Sequence, residues 1–157
     1  MKKLLLLPLL LILFSCGDDK DEPKQPEIPT MSTEYLKGKA YQEVGDEDDY
    51  LIFTKTQKMI EFIVREDEKT LWLYHECDFS VQLENHYYYL VYPRRDGKPD
   101  NHYRIWFDGH ELYQNWTFQN IVIEYDYGDY IGKKETTYKQ VGTADEILSK
   151  YSSYTKD

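Results

Sequence analysis

Cysteine is scarce in this chain. There are two, Cys16 and Cys77, among 157 residues. If Cys16 is used for another purpose, Cys77 has no partner within the chain, and an intramolecular disulfide is excluded. Basic residues are also in deficit, with 19 Lys and Arg against 29 Asp and Glu, a formal charge of -10. An acidic surface repels phosphate backbones, so nucleic acid is excluded as a partner. No long hydrophobic run is present. The apolar stretch Leu4 to Leu13 falls well short of the roughly 20 residues that a helix needs to span a bilayer. The G-x-S-x-G, H-E-x-x-H, P-loop and C-x-x-C patterns are all missing, which leaves no motif for an enzyme and implies no cofactor. Between Leu36 and Val141 no helical stripe occurs. Parallel sheets need long crossovers, so a βαβ plan is excluded too.

The N-terminus supplies a use for Cys16. Lys2 and Lys3 form a positive start, Leu4 to Leu13 an apolar stretch, and Leu13-Phe14-Ser15-Cys16 closes it with a small residue before cysteine. This resembles a bacterial lipobox. The resemblance implies a signal peptide over residues 1–15, and Cys16 as a lipidated mature N-terminus holding the protein to the membrane through its acyl chains (palmitate among them). Gly17-Asp18-Asp19-Lys20-Asp21-Glu22 follows, then Pro23, Pro26 and Pro29. Residues 16–33 thus read as a disordered acidic, proline-stiffened tether reaching up to roughly 50 Å. An acidic run directly after the lipidated cysteine resembles the surface-export signal of outer-membrane lipoproteins, and implies an outer-membrane protein exposed at the cell surface.

The remainder reads as an antiparallel all-β domain over residues 34–142, closed by a helix and tail over 143–157. Tyr accounts for 16 residues and accompanies Ile, Val, Phe and Trp, side chains that pack well on a half-buried pleated surface. Phe79, Val81 and Leu83 alternate with polar residues, as do Ile121, Ile123 and Tyr125. Tyr103, Ile105 and Phe107 alternate with Arg104, Trp106 and Asp108. Further strands are expected at Leu36–Glu43, Tyr50–Thr54, Met59–Val64, Thr70–Glu76, Tyr87–Tyr92, Leu112–Phe118 and Thr136–Val141. Asp108-Gly109 reads as a two-residue type I′ hairpin. About eight to ten short strands suit an up-and-down meander forming a small barrel. Thr143-Ala144-Asp145-Glu146 has the capping-box pattern. Ile147, Leu148, Tyr151 and Tyr154 behind it share one face, which is expected to pack on the outside of the sheet.

Leu36-Lys37-Gly38-Lys39, with Leu51-Ile52-Phe53 as a second strand, resembles the lipocalin-like domains of bacterial lipoproteins. Ala40 stands where that motif carries Trp. The resemblance implies a lipocalin-like β-barrel.

Candidate site residues come from aromatic density. Tyr87-Tyr88-Tyr89 with Leu90, Val91 and Tyr92 puts large rings on both faces of one strand, and Trp106 and Trp72 lie out of phase with their apolar neighbours. Tyr88, Tyr92, Trp106 and Trp116 are the rings expected to stack on a glycan-like ligand or a partner protein. This gives a non-enzymatic, lipid-anchored binding module. Alternatives are a carrier of a small apolar ligand in the barrel lumen, and an accessory subunit of an envelope complex. The acidic run Asp46-Glu47-Asp48-Asp49 lacks calcium-loop spacing and reads as a solvated loop. His75 and Cys77 share a strand face without a second ligand pair, and Cys77 reads as a small strand hydrophobe. Glu124 and Asp126 pair along one strand, as acidic residues do often in so acidic a chain. No metal site is expected.

Overall fold

The computed structural model describes residues 29–94, 98–108, 120–127 and 131–157. The lipobox with Cys16, Trp116, the strand expected at Leu112–Phe118 and His110 lie outside the described residues.

Among the described residues ten strands form one sheet: β1 Lys39–Glu43, β2 Asp49–Phe53, β3 Lys58–Arg65, β4 Thr70–Asp78, β5 Ser80–Glu84, β6 Tyr87–Tyr92, β7 Asn101–Phe107, β8 Ile121–Asp126, β9 Lys133–Thr143 and β10 Thr155–Lys156. Their order is β10-β4-β3-β2-β1-β9-β8-β7-β6-β5. Every neighbouring pair is antiparallel except β10 on β4, which is parallel. The expected all-β meander with one C-terminal helix is the observed fold, in the form of a curled half-barrel.

The curl can be traced through named residues. β4 and β5 lie near opposite ends of the ladder, yet Phe79 alone joins them along the chain. The two ends of the sheet must therefore meet there. Phe79 is buried and packs on Phe53 with ring centroids 4.8 Å apart. His75 of β4 likewise reaches Tyr92 of β6 across the lumen, at 5.2 Å.

Alternation gives the sheet two apolar faces. The inner cluster holds Tyr41, Leu51, Phe53, Met59, Leu90, Ile105, Ile121, Ile123 and Tyr138, with half-buried Cys77 and Tyr88 against it. The outer cluster holds Ala40, Tyr50, Ile52, Ile60, Phe62, Val64 and Leu71. In β4 the phase changes midway. Glu61 pairs with His75 and Phe62 with Leu73, so Tyr74 is an extra residue. This bulge keeps Leu71 and Leu73 on the outer face and turns His75 and Cys77 inward.

Helix α2, Ala144–Lys150, begins at the expected capping box: Thr143 Oγ1 accepts from the Glu146 amide, and Glu146 accepts from the Thr143 amide. It packs on the outer face as expected, through Ala144, Ile147, Leu148 and Tyr151. Small residues allow its approach. Ala40 is fully buried and pairs with Gly142. A side chain at Gly142 would place its Cβ 2.9 Å from the capping carboxylate of Glu146. A large ring at position 40, as in the lipocalin-like motif, would occupy the space where α2 sits. Tyr151 is fixed from below by a hydrogen bond to the Tyr50 hydroxyl, 3.2 Å, which in turn accepts from Gln42 at 3.1 Å.

Other local features differ from expectation. A single helical turn, α1 Thr33–Leu36, precedes β1, capped by Ser32. Met31, Ser32 and Thr33, expected within the tether, belong to the fold. Met31 is buried, and Thr33 Oγ1 accepts from the Val81 amide at 2.7 Å. The turn expected at Asp108-Gly109 reaches Gly109, outside the described residues, and Phe107 pairs with Ile121. Among the described residues, a two-residue turn with positive φ at both positions is Asn85-His86, at 48° and 71°, between β5 and β6. β10 has no apolar signal in the sequence, but it covers the free edge of β4.

Candidate functional site

The strands run from one end of the lumen to the other, and their inward side chains change character along the way. At one end α1 lies across the opening. Tyr35 meets Phe107 edge-on at 5.0 Å, and Leu36 is fully buried. The Lys39 ammonium lies 3.7 Å above the Tyr35 ring. This end is filled with apolar side chains.

The other end is open among the described residues. A cavity of about 320 Å³ is lined there by Glu43, Asp49, Glu61, Tyr74, His75, Tyr92, Tyr103, Tyr125, Tyr127, Lys134, Thr136 and Tyr138. Each comes from the inward phase of its strand or from its mouth end: Glu43 lies two residues beyond Tyr41, Asp49 two before Leu51, and Glu61 two beyond Met59.

Its tyrosines form a continuous arc. Tyr92 and Tyr103 have ring centroids 5.8 Å apart, Tyr103 and Tyr125 4.9 Å, and Tyr125 and Tyr127 6.0 Å. The buried hydroxyls of Tyr125 and Tyr138 share a hydrogen bond of 2.9 Å. Burial pushes Tyr92, Tyr125 and Tyr138 far above the usual phenol range, so all three stay protonated donors. At the rim, Trp72 is 45% exposed and stacks on Tyr74 at 5.4 Å, with the Arg65 guanidinium 4.8 Å above it.

The carboxylates come from the adjacent strands β1, β2 and β3. Asp49 is 8% exposed, and its Oδ1 finds no hydrogen-bond partner among the described residues. Burial first, then the charges of Glu43 and Asp46, push its carboxyl up to about 7. Glu61 is also pushed up to about 7, by burial and then by Asp49 and Glu43. His75 Nε2 lies 3.7 Å from Glu61 Oε2. Glu43 is raised mainly by burial, with Lys134 acting against the shift. Two acidic groups raised toward neutrality thus share one concave site.

Of the residues expected to form the site, Tyr92 lines this cavity. Tyr88 faces inward on the same strand, against the apolar end. Trp106 faces the outside, half-buried, with the Arg104 guanidinium 5.5 Å above its ring. Tyr92 and Trp106 therefore do not belong to one surface. Glu124 and Asp126 share the outer face, and Glu124 is held there by Lys133 at 2.8 Å and Arg104 at 3.8 Å. Asp49, read with the solvated acidic loop, is buried in the site. Glu43 and Glu61 went unmarked. The signal for Glu61 is present in the sequence, as a charge between Met59 and Ile63 in the inward phase of its strand.

Among the described residues, no group of three His, Cys, Asp or Glu side chains is arranged to hold a metal ion, and no helix is long and apolar enough to cross a membrane. Comparison with protein-family models, curated proteins and solved structures finds no match to the chain.

Proposed function

We propose that this chain is a lipid-anchored envelope lipoprotein whose lipocalin-like half-barrel binds a small polar ligand at the open end of its lumen, without chemical turnover. The observation that carries the reading is the cavity of about 320 Å³ whose wall holds six tyrosines and three carboxylates. Phenol rings supply stacking area and hydroxyl donors, and carboxylates accept from hydroxyl or amine groups. A polyhydroxylated or amine-bearing molecule suits that lining. An apolar cargo would leave the carboxylates desolvated beside it, which costs several kcal/mol for each unpaired charge, on the order of the affinity itself. The proposed binding surface thus moves from the outside aromatics to the mouth, and of the rings first expected to bind it keeps Tyr92 alone.

The anchor rests on Leu13-Phe14-Ser15-Cys16, and the surface location on the acidic run that follows. Labelled fatty acid should enter the wild-type chain and not Cys16→Ala. Ligand binding is tested by screening sugars and amines against the isotope-labelled, purified chain in a non-ionic detergent. Shifts clustered at Tyr92, Tyr103 and Tyr125 are expected. Shifts confined to Trp106 and its outer-face neighbours would restore the outside platform and remove this reading.

A further inference from the structure

We propose that the ligand of this mouth is a small organic cation, an ammonium or guanidinium head held between the tyrosine arc and the carboxylates of Asp49 and Glu61. This deepens the binding reading above and rests on it.

The charged groups facing the cavity are Glu43, Asp49, Glu61, His75 and Lys134. Acid outnumbers base among them, and the excess is placed unevenly. Lys134 acts on Glu43, whereas Asp49 and Glu61 are perturbed chiefly by burial and by other carboxylates. Asp49 adds a second observation. It is more than nine-tenths buried, lines the cavity, and leaves Oδ1 without a partner among the described residues. Such an atom carries its full desolvation cost until a donor arrives. A cation would supply the donor and the opposite charge together. The elevated carboxyls of Asp49 and Glu61 agree with a site that is under-compensated when empty.

The tyrosine arc selects the type of cation. Aromatic ring faces attract ammonium and guanidinium groups through the ring quadrupole, and cages of such rings recognise alkylammonium ligands. The three carboxylates lie on three separate strands and do not converge as metal ligands do. A soft-edged organic cation fits this arrangement better than a hard divalent ion.

The test is calorimetric titration of the purified full-length chain, in non-ionic detergent at pH 8. The probes are choline, agmatine, 3,3-dimethylbutanol as the neutral counterpart of choline, glucose, and calcium chloride. Choline or agmatine should bind at least tenfold more tightly than the neutral alcohol, and more weakly as sodium chloride rises. Asp49→Asn and Glu61→Gln should each weaken the cation about tenfold, with melting confirming a folded chain. The comparison of choline with its neutral counterpart uses the wild-type chain and does not depend on either variant folding. Equal or tighter binding of glucose or the alcohol at Tyr92 and Tyr125 would overturn the cation and leave the binding mouth standing. Binding of calcium in place of the organic cations would overturn it as well. Binding of no probe at the mouth would overturn both.

Discussion

At the α1 end of the lumen, the inward positions of β2, β3 and β8 are Phe53, Met59 and Ile121, all buried. Toward the open end the same three strands place Asp49, Glu61 and Tyr125 inward. The backbone is continuous, so the difference lies wholly in side-chain choice along each strand. The filled end supplies hydrophobic stabilisation and fixes the register. The open end carries buried charge and phenol hydroxyls, which cost stability unless a partner satisfies them. A fold gains little stability from such a lining, and the proposed binding role rests on that contrast.

The largest effect should come from damaging the filled end. Phe53 is fully buried and contacts the rings of Tyr41 and Phe79 at 5.9 and 4.8 Å. Phe53→Ala should cost about 3–5 kcal/mol in denaturant unfolding, a large share of a domain's stability. A loss below about 1 kcal/mol would show that this end is not the core.

At the open end a substitution should act in the opposite direction. The folded carboxyl of Asp49 lies near 7, above its ordinary value. The folded chain therefore holds a proton that the unfolded chain releases from about pH 4 upward. Its contribution is fully present below that pH and is lost as pH rises through about 7. Asp49→Asn should stabilise the chain by about 1–3 kcal/mol at pH 8 and by much less at pH 4. Equal melting shifts at both pH values would break the contrast between the two ends.

Smaller effects refine it. Tyr125→Phe removes the buried hydroxyl bond to Tyr138 and should cost about 1 kcal/mol. Trp106→Ala, on the outer face, should cost about 1–2 kcal/mol through lost packing. It should leave ligand affinity at the mouth unchanged, as ligand titration of the variant would show. A several-fold loss of affinity would tie the outer face to binding.

The two ends were not equally legible in the sequence. Strands with clean alternation, such as Ile121 to Tyr125, declared themselves, and Thr143 with Glu146 announced α2. Short pieces did not. α1 has four residues and β10 two, too few for any period to show. The Asn85-His86 turn lacks the glycine that usually marks its type. The mouth was hidden for a different reason. Glu43 and Asp49 face each other across one hairpin, Glu61 joins them only through pairing register, and His75 only because the bulge at Tyr74 turns it inward. Alternation tells which residues share a face. It does not tell which of two inner ends is filled. Tyr92 was found as one ring in a tyrosine run, and its partners Tyr103 and Tyr125 were read as strand formers.

The central claim is that the open mouth keeps under-compensated carboxylates in its wall. The direct measurement is a carbon-13 NMR titration of the side-chain carboxyls of Asp49 and Glu61 in the ligand-free chain. Both groups should change protonation near pH 7, with Asp49→Asn lowering the midpoint of Glu61 by removing a neighbouring charge. Midpoints near pH 4 for both, in the ordinary carboxylate range, would contradict the account.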